Sequence, residues 1–165
     1  MNASPAPLAV RVATTADVAA AGDVVAAAYL HDLQVSAGYV QRLRDAAGRA
    51  DQAVLLVAAE GDVVLGSITY VTGGTPMAQR AAAGEAELRM LGVAPGARGR
   101  GVAQLLVLDC IARARRQGVS RIVLSTQPEM LAAHRLYERL GFARRVDLDW
   151  VPEPDVVLIG YALTL

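Results

Sequence analysis

This 165-residue chain contains no lysine; all 16 of its basic residues are arginine. That excludes a phosphate loop of the Gly-Lys-Ser/Thr kind, in which an ammonium group reaches the outer phosphates. Cysteine is almost absent too. Cys110 stands alone, so no intrachain disulfide can form. Lying among Leu108, Asp109 and Ile111 with no histidine near it in sequence, it reads as a small core residue rather than a nucleophile. The two histidines, His31 and His134, form no metal-ligand pattern, and no metal is expected. Sixteen arginines balance 16 acids, so no bulk charge draws the chain to nucleic acid. Hydrophobic residues make up 54%, yet no uninterrupted apolar run exceeds that of residues 53–59, too short to span a bilayer. Residues 1–10 lack the basic start and apolar centre of a signal peptide. The expectation is a soluble, cytoplasmic chain without a membrane or nucleic-acid partner. Its length suits one domain over residues 1–165.

What the chain does have is concentrated in residues 87–142. This stretch begins E-L-R-M-L-G-V-A-P-G-A-R-G-R-G-V-A-Q and ends A-A-H-R-L-Y-E-R-L-G-F. An extended apolar segment runs into a loop of Gly and Arg, and a helix starts inside that loop. Such a junction offers one anion free backbone N–H groups, the positive end of a helix dipole and two guanidinium groups. A dinucleotide loop is a poor match. Gly99 and Gly101 fit G-x-G-x-x-G, but Gln104 stands at the third position. The next strand ends at Leu124-Ser125-Thr126, without the acid that would bind a ribose.

The remaining pattern gives an order of elements. Residues 8–12 read as a strand. Thr14 and Asp17 mark a helix start, and the helix runs to about Tyr29. Residues 36–50 read as one further helix. Residues 53–59 and 63–71 form a hairpin about Gly61-Asp62. The Ala-rich loop that follows, to Gly84, is expected to be mobile. Residues 87–93 are a strand, and a helix over 101–117 turns Val102, Leu105, Leu106 and Leu108 inward. Residues 121–125 form a strand parallel to 87–93. Pro128 suits the first position of a helix whose stripe is Ala133, Leu136, Tyr137 and Leu140, with Gly141 ending it. Two strands, over 142–150 and 155–163, close the chain.

Arg98-Gly99-Arg100-Gly101-Val102-Ala103 matches Q/R-x-x-G-x-G/A, the signature of the GNAT superfamily of acyl-CoA-dependent N-acyltransferases. Leu91-Gly92-Val93-Ala94-Pro95 resembles the strand before that signature in the family. Leu136-Tyr137-Glu138-Arg139-Leu140-Gly141-Phe142 resembles the family's L-Y-E-x-x-G-F ending. The resemblance implies an α/β fold, a mixed sheet of about seven strands flanked by four helices. It implies an enzyme of the N-acetyltransferase kind, moving an acetyl group from acetyl-CoA to a primary amine by direct transfer. The backbone at Arg98, Gly99, Arg100, Gly101, Val102 and Ala103 would hold the pyrophosphate. Main-chain groups of Leu91 and Val93 would pair with the pantetheine arm and polarise the thioester carbonyl.

By the same resemblance Tyr137 is the candidate acid for the leaving thiolate; a phenol of pKa about 10 can donate at neutral pH. Its place on the apolar stripe equally suits a core residue. Glu87, six positions before Val93, is the candidate base for an ammonium of pKa about 10.4, with Glu85 as its rival. A salt bridge or an acceptor contact is the other reading of Glu87. Met130 stands seven residues before Tyr137, where the family often has an Asn that contacts the pantetheine arm. Tyr29, His31, Asp32 and Tyr39, together with Asp149, Trp150, Pro152 and Pro154, are candidates for the acceptor side. The acceptor would be a small molecule, an amino acid or a protein amino group, and a homodimer is compatible with the family. With no lysine, the chain cannot acetylate its own lysines. The competing function is a non-catalytic acyl-CoA-binding module with the same fold.

Overall fold

The computed structural model describes residues 4–165 as eight strands and five α-helices of the mixed α/β class. Two units account for them, the first running up to Tyr70 and including Met90–Asp109, the second made of Val71–Arg89 and Cys110–Leu165.

In the first unit the hydrophobic run after Gln52 becomes strand β2 (Val54–Glu60), buried at every position from Leu55 to Ala59. It has a strand on each edge, and Leu55 and Val57 on one face pack against Ala21 and Ala46. β1 (Leu8–Val12) and β3 (Val63–Thr72) both pair with it antiparallel. Gly61 turns the β2–β3 hairpin at φ 60°, a conformation that glycine adopts without steric cost. Helix α1 (Val18–Asp32) meets α2 (Ala37–Arg44) closely, and a Cβ on Gly22 would lie 2.3 Å from the Arg44 carbonyl oxygen. Val24, Val25 and Ala26 of α1 pack with Val40 and Leu43 of α2 as one core cluster.

The single helix expected over 36–50 is two. Asp45 leaves helical geometry at ψ 63°, and its side chain accepts the Gly48 N–H at 3.0 Å, capping a new helix, α3 (Ala46–Gln52). The break leaves carbonyls at the end of α2 without helical partners. Buried Arg49 takes them, donating to the carbonyls of Arg42 and Leu43 at 2.7 Å each. This break accounts for the fifth helix.

In the second unit the first half of β4 (Ala86–Val93) pairs parallel with β5 (Arg121–Thr126) over three positions, Ala86–Ile122 to Leu88–Leu124. Helix α4 (Val102–Gln117) links the two strands and crosses from one unit to the other. Its buried positions are Val102, Leu106, Val107, Cys110, Ile111 and Ala114; Leu105 and Leu108, expected inside, are exposed. β8 (Val156–Thr164) lies antiparallel to β5 and carries β6 (Ala143–Arg144) and β7 (Trp150–Glu153). Helix α5 (Leu131–Arg139) begins after Met130, three residues later than Pro128 suggests.

The strand expected over 142–150 is broken, which raises the strand count from seven to eight. The Asp149 carboxylate takes the Gly160 N–H at 2.8 Å, and Arg145 donates its own N–H to the Gly160 carbonyl at 2.8 Å. Leu148 then turns in against the bare Cα of Gly160, where a Cβ would come within 2.3 Å of the Leu148 Cβ. Among the described residues no helix is long and apolar enough to cross a membrane.

Asp17 fixes the turn over Thr15–Asp17 that leads into α1. Its carboxylate accepts both Arg11 guanidinium nitrogens, the Thr14 N–H at 2.8 Å and the Thr14 hydroxyl at 2.9 Å. The Arg11 contact above all, then the Thr14 bonds, hold its pKa down at about 2. A depressed carboxyl contributes stability above its unfolded pKa, about 3.9, and loses it as pH falls toward 2. Asp17→Asn should therefore lower stability at pH 7 by roughly 1–2 kcal/mol, the scale of a lost cap. The difference from wild type should shrink as pH falls from about 4 to about 2. Urea melts across that range measure it.

Candidate active site

The candidate phosphate loop belongs to the first unit. Past the β5 ladder, strand β4 turns at Met90, a non-glycine residue at φ 53°, and continues as Leu91, Gly92 and Val93. A Cβ on Gly92 would stand 2.8 Å from the Cα of Val25, so α1 packs directly on this segment. Gly99 and Gly101 follow at φ 76° and 78°, each open where a side chain would project. These left-handed turns feed α4, whose first helical bond runs from the Leu105 N–H to the Gly101 carbonyl at 3.0 Å. The N–H groups of Val102, Ala103 and Gln104 accordingly lie in the first turn, without carbonyl partners from the helix. Val102 anchors the turn, because a Cβ on Gly66 would come within 2.7 Å of its side chain.

Two guanidinium groups were expected on the anion, and both are paired with carboxylates instead. Arg98 holds Asp32 through two bonds of 2.8 Å, and Arg100 pairs with Glu60. Asp32 is held below the usual carboxylate range, first by Arg98 and less by His31. The Arg side chains are 38% and 46% exposed, so these are surface pairs of small net worth and an incoming phosphate can compete for them. The part of the loop free to bind an anion as it stands is backbone N–H and helix dipole.

The second unit holds the candidate acid and base. Tyr137 is 7% exposed. Its ring centroid lies 5.8 Å from that of Phe142 and 6.1 Å from that of Tyr161. Burial, and secondarily the nearby Cys110, raises its pKa well above the ordinary phenol value. No hydrogen-bond partner for its hydroxyl occurs among the described residues. Tyr161 differs, donating its hydroxyl to Glu138 at 3.1 Å.

Glu87 is 1% exposed, and its Oε2 accepts three consecutive backbone N–H groups, from Gln79 at 2.8 Å, Arg80 at 2.9 Å and Ala81 at 3.1 Å. The geometry is that of an anchored loop. Glu85 is also committed, to the Arg121 Nε at 2.5 Å and the Ala82 N–H at 3.0 Å. The loop over 73–84, expected to be mobile, is therefore tied down by both acids. Arg89 adds a 3.0 Å bond to the Met77 carbonyl.

The proposed acceptor residues divide between the units. The Tyr29 and Tyr39 rings lie 6.0 Å apart and tilted by 53°, with Arg42 over Tyr39. His31 contacts Asp32 at 2.9 Å. Asp149 is taken by Arg144 through two bonds of 2.6 Å. Pro152 and Pro154 are exposed, while Trp150 is half-buried and donates its indole N–H to Ser125 at 3.1 Å. Among the described residues no group of three or more His, Cys, Asp or Glu side chains gathers to hold a metal.

The acetyltransferase (GNAT) family model matches residues 23–142. This chain belongs to that family. It is 36% identical over 110 residues to a mycothiol acetyltransferase of Geodermatophilus obscurus, a match covering 66% of the chain but 35% of the relative. The chain thus spans about a third of the length of that curated relative. A GNAT-family acetyltransferase of Staphylococcus aureus shares the fold at TM-score 0.76 and 13% identity, covering 96% and 99% of the two chains. An acetyltransferase of Salmonella typhimurium, solved with acetyl-CoA, is 25% identical at TM-score 0.69, covering 97% and 95%.

Within this acetyltransferase-family chain, sequence reasoning passed over Arg80, Arg89 and Ser125. Strand register marks the last two, and Arg80 is marked only by the loop's fold about Glu87. Arg89 and Ser125 are the first residues beyond the last β4–β5 pair, Leu88–Leu124. For Glu87 the number of N–H donors gives a direct test. Glu87→Gln replaces a charged acceptor of three bonds by a neutral one and should cost about 2 kcal/mol or more. For a chain of this size that is a fall in Tm of roughly 4–8 °C. Differential scanning calorimetry reads it, and an unchanged Tm would remove the anchor role.

Proposed function

We propose that this chain is an acetyl-CoA-dependent N-acetyltransferase acting on a primary amine. The observation that carries the reading is the open loop at Gly99 and Gly101 leading into the N-terminus of α4, within the stretch matched by the family model. Acetyl-CoA fits what that loop offers. The pyrophosphate would take N–H groups from Gly99 to Ala103, the Arg98 N–H being turned to the Pro95 carbonyl, and the pantetheine arm would run along Leu91 and Val93. Support for the arm's placement is that β4 leaves β5 after Leu88 and turns at Met90. Met130, at the start of α5, offers the arm packing rather than a side-chain hydrogen bond.

In the reaction the amine nitrogen attacks the thioester carbonyl carbon, the C–N bond forms and the C–S bond breaks. A main-chain N–H near Leu91–Val93 would stabilise the developing oxyanion. Tyr137 would donate its hydroxyl proton to the sulfur as CoA leaves, and solvent would replace that proton. Burial keeps the phenol protonated, which suits a donor. The amine must also lose a proton. With Glu87 and Glu85 holding the loop, we infer that this proton passes to water, so that the enzyme acts on the fraction of amine already neutral.

Calorimetry with acetyl-CoA tests the coenzyme site. Gly101→Glu, which puts a carboxylate where the pyrophosphate would lie, should abolish saturable binding while Gly101→Ala retains part of it. Equal heats from all three proteins would overturn the placement. Tyr137→Phe should lower turnover roughly 10²–10⁴-fold with little change in acetyl-CoA affinity. In wild type, kcat/KM should rise with pH toward the amine's own pKa, about 10.4 for an alkylamine. Glu87→Gln should keep that profile. A limb lost only in Glu87→Gln would restore Glu87 as the base.

A further inference from the structure

Arg80 is a half-buried cation with no carboxylate partner among the described residues. Arg121, Arg144 and Arg145 of the same unit each have one. Its Nε is occluded and makes no hydrogen bond. Its guanidinium lies over the Trp150 ring, 5.6 Å from the centroid, and that ring is fixed by the indole bond to Ser125. From the other side the Arg80 backbone is fixed by Glu87. A guanidinium removed from part of its water, laid on an aromatic face and denied an anion is short of one interaction. Its planar fork suits a carboxylate.

The placement says which molecule would supply it. Ser125 is the first β5 residue beyond the ladder with β4, and Arg89, the matching first residue of β4, holds the Arg80 loop through Met77. Two residues past Arg89, β4 reaches Leu91, where the proposed reaction has the thioester. We propose that Arg80, seated on Trp150, binds a carboxylate of the acceptor, so that the acceptor class is an amine that also carries a carboxylate group, as in an amino acid or a peptide with a free C-terminus. This rests on the transferase reading only for the amine; the carboxylate site stands on Arg80 and Trp150.

Trp150 is the only tryptophan in the chain, so its fluorescence reports the site directly. The probes are alanine, phenylalanine and alanylalanine, each compared with its carboxamide, added to the full chain in the presence of CoA. The expected result is a saturable change in emission with at least one free acid, at least 10-fold weaker with its amide. It should be lost in Arg80→Gln and weakened but present in Arg80→Lys, with far-UV circular dichroism showing both variants folded. The same pairs are then assayed for thiol release from acetyl-CoA, where the acid-over-amide ratio in kcat/KM should collapse in Arg80→Gln through a raised KM. No saturable response to any acid, or an equal response in Arg80→Gln, overturns the carboxylate site even if amines are acetylated. A response confined to the acids and lost in Arg80→Gln upholds it even if no thiol is released, in which case the transferase reading falls instead.

Discussion

A carboxylate removed from water must have its charge answered by hydrogen bonds, and in the second unit that requirement at Glu87 shapes everything around it. Its Oε2 takes three N–H groups in a row, which forces residues 79–81 to curl about one oxygen. The curl brings Ala81 into the cluster with Val123, Leu148 and Ala162 and leaves Arg80 facing Trp150. A loop whose composition suggests mobility becomes a fixed wall because a single buried charge would otherwise be unsatisfied.

The first unit solves a different problem. Its loop must present bare N–H groups, so it needs backbone turns that leave no side chain in the way. Glycines at positive φ supply them at two positions, and the packing of Val102 against Gly66 keeps the start of α4 from fraying. As the structure stands, the paired arginines fasten the loop, one to the last residue of α1 and one to the last residue of β2. Because both pairs are exposed, they hold the loop lightly.

Tyr137 and Glu87 show how one kind of sequence evidence can diverge in structure. Both were singled out by position within a family pattern, and both are buried. Tyr137 has burial without a hydroxyl partner among the described residues. Glu87 has burial with one oxygen already engaged three times. Sequence gives the residue type and the helix or strand that carries it, and neither says how many donors converge on it.

The sequence by itself determined the family pattern, the strand–loop–helix junction at residues 91–103, the hairpin about Gly61 and the helix that carries Tyr137. These are local matters: hydrophobic period, glycines where the backbone needs them, and capping residues a few positions away. Tertiary structure decided the rest. Asp45 splits a helix because Arg49 can answer the exposed carbonyls, and residues 142–150 break because Leu148 needs the space over Gly160. Arg98 and Arg100 turn to carboxylates contributed by residues 66 and 40 positions away. Such outcomes depend on which distant groups the fold brings within about 3 Å, a distance that no local period encodes.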